Sequence, residues 1–306
     1  MNWEQARKLL PFARVVKKTR DELQAKGRAP RPKLPDIPRA TSLCVASGKG
    51  GTGKSVFTAS IAARICRLGR TLIMDADMGI GNAHILQGVA PERSFVELVA
   101  GTASPHEVVA RCNDRLDLIA AGSGVSSMAE LSAFEMHRVA EALEQLETEY
   151  SYLIVDSAAG VSNQTVAFAS ASDLVVVITT PAVTAMTDAY AFIKVLLRSN
   201  PQAIPLLVVN RAHSTEEAQS VVKRMGTVCE RFLSRSPRFI GWIPFDETVI
   251  GAINGRQALV DFDPTAPAAR ALEKLALVLA EEFDRQRARG IGHALMGRVA
   301  YSPKLA

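Results

Sequence analysis

Apolar residues fall along this chain in two alternating patterns. Short, nearly continuous runs stand at 42–46, 71–75, 116–120, 152–155, 174–179, 204–209 and 239–243. Runs that short and that unbroken fit strands buried on both faces. Leu116 to Ala120 and Leu174 to Ile178 are the most strand-like. Between the runs the apolar spacing lengthens to three and four, as from Lys54 to Leu68, which predicts helices. Strands and helices that alternate over about 240 residues imply a largely parallel central sheet covered by helices on both faces. No internal repeat is apparent.

The first predicted strand, Ser42 to Ala46, leads into Gly48-Lys49-Gly50-Gly51-Thr52-Gly53-Lys54-Ser55, and a predicted helix begins at once. Strand, glycine-rich loop and helix in that order are the context a phosphate-binding loop requires. Glycines at 48, 50, 51 and 53 let successive N–H groups turn inward around a polyphosphate at a helix N-terminus. Thr52 lies inside that cradle. Lys54 would reach the β- and γ-phosphates, and the Ser55 hydroxyl would ligate Mg²⁺. The fold class expected is therefore α/β, a three-layer P-loop NTPase, with ATP and Mg²⁺ as cofactors.

Three acids end predicted strands close to that loop. Thr71 to Met74 runs into Asp75-Ala76-Asp77, and Tyr152 to Val155 runs into Asp156. An acid at a strand end is often only a turn former or a cap. Three beside a phosphate loop, at the carboxyl end of a parallel sheet, point to a metal and phosphoryl-transfer site. Asp156, after four apolar residues, has the form of a Walker B acid, and would hold Mg²⁺ through water.

Lys49 is superfluous for phosphate binding, since Lys54 already serves it. The pattern K-G-G-x-G-K-S resembles the deviant Walker A motif of the MinD/ParA family of ATPases. Asp75-Ala76-Asp77-Met78-Gly79 through Asn82 to Gly88, and Asp156-Ser157-Ala158-Ala159-Gly160, resemble the same family and, within it, the flagellar-number regulators of the FlhG (FleN) type. Ala158 stands where MinD has proline. The resemblance spans about residues 41–283 and carries several implications. Lys49 would cross a dimer interface to the partner's nucleotide, which makes ATP the glue of a homodimer. Asp75 would lie near the metal, and Asp77 would orient the attacking water. Asn210 would contact adenine, with Pro244 and Asp246 of the Trp242-Ile243-Pro244-Phe245-Asp246 stretch flanking the base. Asn210 reads equally well as a turn residue ending its strand. The expected activity is ATP hydrolysis by a dimerising switch that sets flagellar number or placement; division-site positioning of the MinD type and partitioning of the ParA type are the alternatives.

The ends of the chain bear on the branch. Glu4-Gln5-Ala6-Arg7-Lys8-Leu9-Leu10 resembles an N-terminal segment of the FlhG regulators that stimulates a flagellar GTPase, FlhF. Glu4, Gln5, Ala6 and Leu9 would then contact an FlhF-like partner; Glu4 replaces an aspartate and Leu10 an arginine of that pattern. Residues 1–25 form this segment, a Pro-rich linker occupies 26–40, the ATPase domain 41–284, and a basic tail 285–306. In the tail Ala288, Ile291, Leu295 and Val299 recur at helical spacing among arginines. That stripe suits an interfacial helix on an anionic membrane, or a helix folded back on the core. Gly290, Gly292 and Gly297 weaken it as a free helix.

Of 306 residues 48% are hydrophobic, enough for one large core. The first 40 residues carry +7 and the last 22 carry +5, which leaves −7 for residues 41–284 of the total +5. The high pI thus belongs to the ends, and an acidic core argues against sequence-independent nucleic-acid binding. Cys44, Cys66, Cys112 and Cys229 are scattered without a C-x-x-C, so neither a disulfide framework nor an iron–sulfur cluster of the nitrogenase-reductase kind is expected. Met1 to Arg20 is charged and lacks the apolar stretch of a signal peptide. A cytoplasmic protein is expected, with peripheral inner-membrane association as the further reading of the tail.

Overall fold

The computed structural model of the protein describes residues 39–77, 81–122, 131–286 and 288–299, the last three by backbone only. The chain divides into Met1–Ile37 and Pro38–Ala306. The first unit lies outside the described residues, and with it the partner-contact readings at Glu4, Gln5, Ala6 and Leu9.

Eight strands form one sheet: β1 (Thr41–Ala46), β2 (Thr71–Ala76), β3 (Val109–Arg111), β4 (Leu116–Ile119), β5 (Tyr152–Ser157), β6 (Leu174–Thr179), β7 (Pro205–Ala212) and β8 (Arg238–Pro244). Their order is β3-β4-β2-β5-β1-β6-β7-β8, and every neighbouring pair is parallel except β3 with β4. All seven expected strands form. The added edge strand β3 is short and never fully buried, so it leaves no apolar run to read.

Side chains of the central strands alternate between two cores, as the period-2 geometry of a strand dictates. Cys44 and Ala46 of β1, with Val175 and Val177 of β6, face one core. Leu43 and Val45, with Leu174, Val176 and Ile178, face the other. Helices α3 (Phe95–Ala100), α4 (Ala133–Leu146), α5 (Asn163–Ala171), α6 (Val183–Ser199) and α7 (Thr215–Leu233) cover the first face. Helices α1 (Lys54–Ile65), α2 (Ala83–Leu86), α8 (Thr248–Asn254), α9 (Leu259–Phe262) and α10 (Pro267–Arg285) cover the second. Among the described residues no helix is long and apolar enough to cross a membrane.

The helix that follows the phosphate loop is fixed at its far end. At its C-terminus the buried Arg64 donates to Asp261 Oδ1 at 2.7 Å and to the Val260 carbonyl at 2.6 Å, and it pairs with Glu273 of α10. A cation there also suits the negative end of the helix dipole.

The described part of the tail does not project from this body. Helix α11 (Ile291–Val299) lies on the first face, with Ile291 and Leu295 buried in its core. Those two positions of the apolar stripe are therefore turned into the protein, and in this arrangement they are covered from lipid. Two polar ties hold the segment. Glu147, wholly buried at the end of α4, accepts from Gly292 N at 3.1 Å and pairs with Arg39. Arg289 Nε donates to Asp173 at 3.0 Å. The glycine that weakens a free helix has a packing role here: a Cβ on Gly292 would lie 2.4 Å from Glu144 N and 2.6 Å from Ala140 O. Gly292→Val should cost about 1–3 kcal/mol through forced separation of α11 from α4. Gly226→Ala, a mid-helix site in α7 where a Cβ would meet only Ser236 Oγ at 3.9 Å, should be neutral or stabilising by up to about 1 kcal/mol. Denaturant unfolding of the two variants measures both signs.

Candidate functional site

The phosphate loop joins β1 to α1, and its glycines answer to particular constraints. Gly51 and Gly53 take φ of 74° and 95°, in the left-handed region that glycine alone enters freely. Gly48 packs so closely on α6 that a Cβ there would sit 2.0 Å from the Asp188 carbonyl. The loop is tied further by Ser47 Oγ, which donates to the Lys49 carbonyl at 2.7 Å, and by Gly160 N, which donates to the Ser47 carbonyl at 2.9 Å. The second contact links the D-S-A-A-G segment after β5 to the loop. Thr52 and Lys54 are buried, while Lys49, Gly50 and Gly51 are not.

Parallel register sets the acids side by side. Asp75 and Asp156 are direct partners across β2 and β5, and both are buried. Asp75 accepts from Asp77 N at 3.1 Å and from Ala83 N, at the start of α2, at 3.0 Å. Asp156 Oδ1 accepts from Thr58 at 3.3 Å, whereas its buried Oδ2 meets no partner among the described residues. Burial, and then the charge of Asp156, hold the Asp75 carboxyl well above the usual carboxylate range. Burial raises Asp156 too, opposed by Ser55, Lys54 and Thr58. An orphaned buried oxygen beside a second buried carboxyl is an unbalanced arrangement, and a divalent cation held by Asp156, Asp75 and Ser55 would relieve it. Among the described residues no group of three or more His, Cys, Asp or Glu could hold a metal alone. Phosphate and water oxygens would have to complete a Mg²⁺ shell, as they do at nucleotide sites.

Beside the loop opens a cavity of about 450 Å³. Lys49 to Thr52 form one wall and Thr180 to Ala182, leading into α6, another; Arg211, His213, Glu217 and Phe245 close it. The His213 and Phe245 rings lie 5.2 Å apart, and Phe245 is half exposed. Arg211 holds φ at 59°, an unusual conformation for a residue with a side chain. These four went unassigned in the sequence, although an aromatic between Pro244 and Asp246 and an arginine after Asn210 were there to be noticed.

The residues expected to bind nucleotide differ in their positions. Asn210 Nδ2 donates to the Thr52 carbonyl at 2.8 Å, and its Oδ1 accepts from Arg211 N at 2.9 Å, so its amide braces the phosphate loop. Asp246 accepts from Thr248 N at 2.9 Å and from Ala268 N at 3.0 Å, and thus closes the starts of α8 and α10. Pro244 ends β8, which leaves Phe245 as the residue of that stretch on the cavity wall. Lys49 Nζ donates to Thr184 Oγ1 of α6 at 2.9 Å, within the same chain.

A family model for ParA, described as NUBPL iron-transfer P-loop NTPase, matches residues 39–280. The chain belongs to the ParA family of P-loop NTPases. This ParA-family protein is 30% identical over 235 residues to the antiactivator FleN of Pseudomonas aeruginosa, covering 76% of this chain and 84% of FleN. It is 28% identical over 250 residues to the flagellum site-determining protein YlxH of Helicobacter pylori, covering 79% and 82%. The septum site-determining protein MinD of Pyrococcus horikoshii, solved as a complex with Mg-ADP, superposes with a TM-score of 0.66 at 19% identity, over 79% of this chain and 97% of that one. The MinD/ParA fold expected from the two-lysine loop and the strand-end acids is thus the fold found.

Proposed function

We propose that the protein is an ATP-dependent, dimerising switch that sets the number or placement of flagella. One observation carries the flagellar part: its similarity to FleN and to a flagellum site-determining protein spans three quarters of the chain or more. The nucleotide chemistry rests on the site. Lys54 and the loop N–H groups bind the β- and γ-phosphates, Ser55, Asp75 and Asp156 hold Mg²⁺, and Asp77 orients water for in-line attack. The metal, when bound, neutralises charge that builds on the transferring phosphoryl group. The cavity walled by Arg211, His213 and Phe245 takes the base side of the nucleotide, next to Asn210, Pro244 and Asp246.

Lys49 is the residue that makes ATP a signal for assembly. It is exposed, and its bond to Thr184 is one that a phosphate oxygen across a subunit interface would readily replace. Lys49→Ala should keep measurable ATP binding while ATP-induced dimerisation disappears, and light scattering with and without ATP follows this directly. A variant that dimerises like the parent removes the cross-subunit role. Residues Glu4, Gln5, Ala6 and Leu9 are assigned to a GTPase partner of the FlhF type. For the cellular role, the gene is deleted in its own host and flagella are counted by electron microscopy. Altered number or position supports the reading; unaltered flagella with displaced septa would transfer the protein to the division-site branch.

A further inference from the structure

The seam between α6 and α7 carries a surface that the nucleotide site does not use. Tyr190 of α6 and Phe232 of α7 meet edge to face, with ring centroids 6.5 Å apart at 64°. Phe232 nonetheless remains 63% exposed, and Val228, one turn earlier, 37%. Along α7 the residues Arg224, Val228 and Phe232 follow one another at helical spacing, as Tyr190, Lys194 and Arg198 do along α6, and Arg235 stands just past the end of α7. Each set therefore lies on one face of its helix. The Arg235 guanidinium donates to the Pro201 carbonyl in the loop after α6, which closes the far end of the seam. Arg231 lies over the Phe232 ring at 5.3 Å.

Among the described residues, none of Lys194, Arg198, Arg224, Arg231 and Arg235 pairs with a carboxylate. The acid on that stretch of α7, Glu230, accepts from the Ser236 hydroxyl at 3.2 Å. Helix-dipole compensation explains the cations in the last turns, Arg198 and Arg231. It does not explain Lys194 or Arg224, nor an aromatic ring left open among arginines. In this otherwise acidic core, five cations lie on or beside the two helices that carry the exposed Val228 and Phe232.

We infer that the α6–α7 seam docks an acidic amphipathic helix of a partner protein. A third helix can lie between two helices packed at the usual 8–10 Å, with its leucine-like face on Phe232 and Val228 and its carboxylates on the rim. Arginine and exposed aromatic side chains together are the usual anchors of such interfaces. A nucleic-acid backbone would use the cations but give Phe232 and Val228 no role, and the Phe232 ring is held in an edge-to-face pair with Tyr190 of the neighbouring helix. Helices that follow parallel strands run back from the strands' carboxyl ends, so the C-terminal halves of α6 and α7 lie away from the phosphate loop. The partner can thus ride on the protein without covering its nucleotide.

The test is fluorescence anisotropy on the full chain with a labelled peptide of about 20 residues, glutamates on one helical face and leucines on the other. A scrambled peptide of equal composition, duplex DNA and phosphatidylglycerol vesicles complete the set. The patterned peptide should bind at least tenfold tighter than the scrambled one. Phe232→Ala, and separately Arg224→Glu with Arg231→Glu, should each weaken it at least tenfold, with ATP affinity unchanged and the charge-reversed pair melting as the parent does. Equal binding of the two peptides, no binding of either, or variants that bind as the parent does would overturn the inference. So would binding of duplex or vesicles, but not peptide, that these same substitutions remove.

Discussion

Lys54→Ala is expected to lower ATP affinity by roughly 10²- to 10³-fold, enough to remove binding at ordinary assay concentrations. Lys54 is buried at the first position of α1, and on the reading proposed above its ammonium meets the β- and γ-phosphates. Taking away one partner of a buried charge pair costs about 3–5 kcal/mol, because the other charge stays desolvated without compensation. Loop N–H groups alone cannot balance a triphosphate. Lys54→Arg should fail nearly as badly, since a planar guanidinium does not replace a compact ammonium at a buried position. Calorimetric titration with ATP and Mg²⁺ measures the loss, and affinity within threefold of the parent would remove Lys54 from the phosphate site.

Asp77→Ala should bind ATP with little change and lose about 10²- to 10³-fold in hydrolysis, the usual effect of removing a positioned group that handles the attacking water. Geometry makes this substitution informative. Asp77 follows β2 directly, and its backbone N–H, not its side chain, donates to Asp75. Alanine keeps that tie, so the acid pair stays in place while the carboxylate goes. Dimers formed with ATP should then persist. Were Asp77 only a turn former, stability would fall and turnover per folded molecule would not; single-turnover hydrolysis beside a thermal melt distinguishes the two.

The chemistry of this chain was legible because it is written in short range. The loop from Gly48 to Ser55 is contiguous, and the acids at 75, 77 and 156 each end an apolar run, so sequence neighbours alone place them at the carboxyl edge of a sheet. The strands could be read because a strand buried on both sides leaves no polar period. What could not be read depended on partners far along the chain. Asn210 reaches the Thr52 carbonyl 158 positions away, and nothing near Asn210 distinguishes a brace for the loop from a contact to a base. Asp246 precedes a helix start, yet only the fold brings Ala268 N onto its second oxygen. The tail shows the same division, since its stripe declares a helix with one apolar side but not what covers that side. The close approach of α4 at Gly292 and the carboxylate of Glu147 settled it. Local patterns thus determined the class of fold, the phosphate loop and its acids, because burial and turn chemistry act on each residue where it stands. Register across β2 and β5, the bracing of the loop, the cavity wall at Arg211, His213 and Phe245, and the docking of α11 were decided by tertiary structure, because hydrophobic period records that a residue is buried and not against which neighbour.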